Sequence, residues 1–258
     1  MSKSQTESSI RKVALTSLSG TSIEWYDFFL YGAAAGLVFP KLFFGDVDPT
    51  TALVLSFMTF AAGFIARPIG GIIFGHFGDL IGRKKTLVIA LMLMGISSTV
   101  IGLLPTYETI GIAAPILLTS LRFCQGIAIG GQWGGAMLLV TESAPSDRRG
   151  YYGAYAQAGA PVGVILANIA FISVSMLTSE ESFLSWGWRI PFLISFVLVI
   201  ISMYIQLNLE DTKAFKDLEA MKSSTEGGAK EIKSSPILEA LRRYPKRISL
   251  AAGAFLSV

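Results

Sequence analysis

The 258-residue chain has one cysteine, Cys124, and one histidine, His76. A disulfide needs two thiols, and a zinc site or a Cys/His nucleophile needs several such side chains together, so counting excludes all three. Charge is scarce too: 15% of the residues are Asp, Glu, Lys or Arg, against 52% hydrophobic, and the mean hydropathy is +0.58. Soluble domains carry about 25% charged residues, so the composition points to lipid as the solvent. No acidic metal motif accompanies the missing His/Cys cluster. The expectation is therefore no metal, no cofactor and no enzymatic chemistry.

What the chain has is apolar length. Uncharged runs cover residues 49–66, 86–107, 123–141, 150–179 and 190–209. Each is long enough to cross a hydrocarbon layer as a helix, which takes about 20 residues. Lipid offers exposed backbone groups no partner, and the runs lack the alternating polar positions of a barrel strand, so an all-α integral membrane fold is expected. Six spans are placed at 17–39, 51–74, 86–104, 112–138, 151–177 and 189–208. The resulting division is a cytoplasmic tail (1–16), a six-helix bundle (17–208), a charged, Gly/Ser-containing cytoplasmic linker (209–247) and the start of a seventh span (248–258). The N-terminus has no small-x-small cleavage site and reads as a tail, not a removed signal peptide.

Lys and Arg set the orientation, because cytoplasmic loops retain them. With the N-terminus inside, the inner segments hold 17 of the 21 basic residues. Lys41 and Arg189 fall at the outer surface, and Arg67 and Arg122 inside spans. The net charge of +3 is accounted for by this asymmetry at an anionic membrane face and calls for no nucleic-acid partner.

The first span holds "SIEWYDFFLYG", residues 22–32, in which Glu24 and Asp27 interrupt an otherwise uncharged stretch from Val13 to Pro40. Asp27 lies about ten residues into span one and Arg122 about ten into span four from the opposite side, so both sit roughly 15 Å deep. Glu24 and Asp27, three apart, share a helical face. A bare charge at that depth costs at least about 2.5–3.5 kcal/mol, so each is expected to face a partner or a watery cavity. Two readings of an Asp27–Arg122 pair stand side by side: a static tie between helices, or the lining of a substrate pathway in which a carboxylate exchanges a proton during transport. Tyr26, Tyr31, Gln125, Gln132, Trp133, Gln157 and Asn168 are polar or amphipathic groups within spans that suit either substrate contact or interhelical hydrogen bonding.

Between spans two and three lies "GHFGDLIGRKK", residues 75–85. Gly75 permits close helix contact, Asp79 accepts from a helix N-terminus or a base, and Gly82 allows the reversal before Arg83 and Lys84. Such a turn can latch one conformation and release another. Arg67 suits a gate or a snorkelling anchor equally, and Glu142 at the inner end of span four is expected to pair with Arg83. The glycine repeats 126/130/134, 71/75 and 159/163 read as packing stripes, and Trp186, Trp188 and Arg189 as an interfacial belt.

The pattern Gly75-x-x-x-Asp79-x-x-Gly82-Arg83-Lys84-Lys85 resembles the loop signature of the major facilitator superfamily, and "RFCQGIAIGG", from Arg122, resembles its fourth-helix signature. "EWYDFFLYG", "RPIGGIIFGHFGD", "GGQWGGAMLLVTESAP" and "SWGWRIPFL" are together similar to the metabolite:proton symporter branch, whose substrates include shikimate, oxoglutarate, citrate, proline and betaine. The resemblance covers residues 13–258. It implies an alternating-access carrier of two six-helix halves, taking up a small metabolite with protons across the plasma (inner) membrane. Asp27, Glu24 and Arg122 are the candidate proton-coupling or cavity residues, and Gly75, Asp79, Gly82, Arg83, Lys84, Glu142 and Arg67 the candidate cytoplasmic gate. Two positions depart from the pattern. Leu80 stands where relatives usually have a base, and Gln132 where they usually have Glu, which removes a carboxylate able to carry a proton.

Two function classes follow. One is a proton-coupled symporter of a small organic acid or zwitterion, shikimate-like or dicarboxylate-like. The other is a half-carrier that is inert or needs a C-terminal half or a second copy, as expected if the six spans, the linker and a new span are the first half of a larger protein.

Overall fold

In a computed structural model of the chain, residues 3–45, 47–81 and 83–207 are described. The linker, the seventh span and Gly82 lie outside the described residues, as do the side chains of Asp79, Arg83, Lys84, Trp133 and Glu142.

The described residues are helical. Six long helices are α1 (Lys3–Leu37), α3 (Pro49–Ile81), α4 (Arg83–Leu103), α6 (Ala113–Ser143), α7 (Arg149–Leu177) and α9 (Arg189–Leu207). Short pieces join them: α2 (Phe39–Phe43), α5 (Tyr107–Ile110), α8 (Glu180–Ser182) and a π-helical turn at Phe183–Gly187. Residues 49–78, 85–103, 113–132 and 149–177 are each long and apolar enough to cross a membrane, and residues 180–187 with 189–204, bent by 44°, make a possible fifth span. Helix α1 is less apolar because Glu24, Asp27 and several hydroxyl residues occupy its middle.

Helix α1 also runs back through most of the expected tail. Ile10 and Ala14, one turn apart, bury against Val140, Ala144 and Tyr152 at the ends of α6 and α7. Residues 3–9 are helical despite their polar composition, continuous with the part of α1 that packs from Ile10 onward. At the start of α3, Asp48 Oδ1 accepts from the backbone N–H of Thr50 (3.1 Å) and Thr51 (3.0 Å), a cap for free donors, with Pro49 pre-set for the first turn.

Pairing of α3 with α6 and of α1 with α7 is the most extensive, while α4 lies against α6 and α9. Lipid is as apolar as the helices' own side chains, so close packing has to hold the bundle together. Glycine permits it. A Cβ at Gly126 would strike the Gly63 carbonyl, and one at Gly130 the Arg67 carbonyl; at Gly163 it would come within 2.6 Å of Ser22 O and Trp25 Cβ. Gly75 is different: among the described residues a Cβ there meets nothing within 4 Å, so none of them makes the close contact expected of it.

Apolar clusters fill the bundle on either side of a polar layer. Toward the α2 end, Tyr26, Leu30, Tyr31, Phe39, Phe43, Trp188 and Phe192 belong to one buried cluster. On the other side, Ile23 joins Leu91, Met94, Ala128, Ile129 and Val199. The expected aromatic belt is largely internal. Trp188 is fully buried between Phe39, Phe43 and Phe192, and Arg189 Nη1 donates to the carbonyls of Gly102 (2.9 Å) and Leu104 (2.7 Å), closing the end of α4. Trp186 alone of the three is exposed.

Candidate functional site

The polar layer is a chain of side chains drawn from four helices. On α1, Asp27 accepts from Ser98 Oγ of α4 at Oδ2 (2.7 Å) and from Ser195 Oγ of α9 at Oδ1 (2.5 Å). Gln125 Nε2 of α6 donates to Ser98 Oγ (2.6 Å), and Arg122 Nη1 donates to Gln125 Oε1 (3.1 Å). Asp27, Ser98, Arg122, Gln125 and Ser195 are all at most 1% exposed.

Asp27 and Arg122 are thus brought into one network but form no direct ion pair, which corrects the pairing expected from their depth. The physical reason is that each charge has found other partners. Two hydroxyl donors serve the carboxylate, and the Arg122 guanidinium carbon lies 4.3 Å from the Tyr31 ring centroid and 4.6 Å from that of Phe60, where cation–π attraction holds it. Nor do these two residues line an open face, since both are at most 1% exposed within the bundle. Gly63 provides the room: a Cβ there would sit 2.8 Å from Arg122 Nε.

The other expected site residues fall into three groups. Tyr31 hydrogen-bonds Thr59 Oγ1 (2.7 Å) with its ring under Arg122, and so belongs to the site; Tyr26 donates to the Pro191 carbonyl (2.8 Å), a tie between α1 and α9. Glu24, Arg67 and Gln132 lie on the Ile23 side of the layer. Glu24 Oε2, Arg67 Nε and both amide atoms of Gln132 are buried with no hydrogen-bond partner, and Arg67 lies over Phe64 (4.5 Å) and Phe28 (5.0 Å). Gln157 and Asn168 stand apart on the exposed side of α7, where Asn168 Nδ2 donates back to Val164 O (2.8 Å).

Ser98 and Ser195 carry no spacing signal and were not legible as site residues. The question that finds them is which hydroxyls in the uncharged runs can reach a buried carboxylate. Ser98 is the junction. Its single proton goes to Asp27 and a lone pair accepts from Gln125, so a proton added at Asp27 Oδ2 forces the Ser98 hydroxyl to reorient. Protonation at one end is thereby felt along the branch that ends at Arg122.

Residues 12–241 match the family described as sugar (and other) transporter. The chain belongs to that family. Its members are membrane transporters, not enzymes, and the branch resemblance drawn from the motifs agrees. An inner membrane metabolite transport protein of Escherichia coli (strain K12) is 53% identical over 211 residues, 82% of this chain and 48% of the relative. The shikimate transporter of the same organism is 44% identical over 248 residues, 96% of this chain and 54% of the relative. The chain therefore spans about half the length of these curated relatives. Among solved structures, the major facilitator proton:xylose symporter XylE of E. coli aligns with a TM-score of 0.74 at 17% identity, covering 95% of this chain and 56% of that one. The six-helix arrangement is thus half of a major facilitator fold.

Proposed function

We propose that this chain forms half of a proton-coupled symporter for a small organic acid or zwitterion, working by alternating access in a bacterial inner membrane with its N-terminus in the cytoplasm. The observation that carries this reading is the buried carboxylate of Asp27, held by Ser98 and Ser195 and joined through Gln125 to Arg122. A carboxylate so enclosed that ties only two helices needs no hydrogen-bonded route to a cation. One that gains and loses a proton during a cycle does, because the route turns a local charge change into movement of α4 and α6 against α1. Gln157 and Asn168 on the exposed side of α7 supply polar groups toward which a substrate approaches from a second half. The loop at residues 75–85, with Arg67 and Glu142, acts as the inner gate.

The 44% identity to a shikimate transporter favours a hydroxylated monocarboxylate as the substrate class. Uptake of labelled shikimate, oxoglutarate, proline and betaine into proteoliposomes holding this chain together with its second half tests the reading, with and without an imposed pH gradient. Accumulation of one of them that collapses when the gradient is dissipated is expected. Protein that is inserted and helical, yet takes up each compound equally with and without the gradient, contradicts proton coupling.

A further inference from the structure

The acid–arginine unit of Asp27 and Arg122 has a counterpart one turn along α1. Glu24 lies three residues before Asp27, and Arg67 on α3 is the cation whose field reaches it, as Arg122 does for Asp27. Phe28 stands between the two arginines, 5.0 Å from the guanidinium carbon of Arg67 and 5.6 Å from that of Arg122. In both units the arginine rests on aromatic faces and makes no ion pair with its acid. The units differ in one respect: Asp27 has two hydroxyl donors, whereas Glu24 Oε2 is buried with none.

An ionised carboxylate needs donors or a cation for its lone pairs, and a buried one needs them most. Nothing donates to Oε2 in this arrangement, while a proton bound there removes the charge and creates a donor of its own. Ile23 packs with Ala128 and Ile129 of α6, and Gln132, one turn beyond them, has both amide atoms buried and unpartnered. Around Glu24 the charged and titratable groups are Tyr26, Asp27 and Tyr31 on α1 itself, Arg67 and, further along, His76 on α3, and Arg122 on α6. Residues 86–103 of α4, 156–177 of α7 and 190–203 of α9 contain none, and Lys41 of α2 is at the far surface bound to Glu180.

We propose that Glu24 is a second proton-binding site, with Arg67 as its own counter-cation, so that the bundle holds two protons in two separate acid–arginine units. In the described arrangement Glu24 carries its proton, while Asp27 accepts from both serines. When Glu24 releases its proton to bulk water, Arg67 leaves the Phe28 and Phe64 rings and pairs with the carboxylate. This rests on the reading of the bundle as a proton-coupled carrier and deepens it from one proton site to two.

Infrared difference spectra of the protein in liposomes, recorded over a pH series, count protonated buried carboxyls without needing a substrate. Two such bands are expected, one removed by E24Q and the other by D27N. R67Q should displace the pH at which the Glu24 band vanishes and leave that of Asp27 in place. A wild-type spectrum with one band that D27N removes overturns the proposal without reliance on any Glu24 variant, as does R67Q moving both bands together. A band removed by E24Q with none removed by D27N upholds the Glu24 site and instead overturns the role given to Asp27.

Discussion

Replacing Gly130 by alanine tests whether the α3–α6 seam depends on backbone contact. The methyl group would land on the Arg67 carbonyl, 2.9 Å from the Arg67 carbonyl carbon and 2.9 Å from Gly71 N. These are backbone atoms, so no rotamer change relieves the overlap and the helices must part. Overpacking of this kind costs about 1–3 kcal/mol, against about 1 kcal/mol gained from replacing glycine within a helix. The net expectation is a loss of up to about 2 kcal/mol. Gly75→Ala is the matched control, in the same pair of helices' neighbourhood but with nothing within 4 Å of the new Cβ, so the propensity gain of about 1 kcal/mol stands alone. In detergent micelles followed by tryptophan fluorescence, Gly130→Ala should lower Tm and Gly75→Ala should raise it, by roughly 2–4 °C per kcal/mol. Two shifts of the same sign would refute the seam as described.

Three further outcomes follow from the same contacts. Arg189→Ala uncovers the carbonyls of Gly102 and Leu104 and removes the cation from beside Trp188; a loss of about 1.5–3 kcal/mol is expected, read as a lower Tm, with Arg189→Lys retaining part of it. Gly63→Ala pushes on the flexible Arg122 side chain, not on backbone, so it should leave Tm within the range of the control yet lower proton-driven uptake. Bonds from Thr51 hold the Asp48 carboxyl below its ordinary value. The capping contribution is therefore full above the usual carboxylate range and lost as pH falls through the lowered value. Hydrogen exchange at Thr50 and Thr51 should accelerate in acid, and in Asp48→Ala it should be fast at every pH.

The six helices were legible because charge is expensive in lipid: the uncharged runs end where α3, α4, α6, α7 and α9 end, to within a few residues on most boundaries. Asp27 and Arg122 were legible for the same reason, as charges at a depth that demands explanation. Their connection was not. Helical spacing places Asp27 on a face of α1 but is silent about whether Ser98 or a cation on another helix faces it, since hydroxyls are common in spans and carry no period. Trp188 and Arg189 mislead in the opposite direction. Tryptophan and arginine at a span end read as an interfacial belt, yet the π-helical turn and the 44° bend before α9 rotate Trp188 inward and bring Arg189 to the end of α4. Gly71 and Gly75 show the limit of a four-residue glycine spacing: a Cβ at Gly71 would only touch Gly130 O at 3.5 Å, whereas one at Gly70, outside the repeat, would strike the Ile127 carbonyl of α6.

The account turns on Asp27 gaining and losing a proton, and transport by Asp27→Asn tests that most directly. Asparagine keeps the size of the side chain and a hydrogen-bond acceptor for one of the two serines, so the folded bundle and its substrate path should persist. Proteoliposomes of the complete carrier, this chain together with its second half, should concentrate shikimate under a pH gradient. The variant should exchange labelled for unlabelled shikimate across the membrane yet fail to concentrate it. Accumulation by Asp27→Asn as steep as that of the wild type would contradict the central claim.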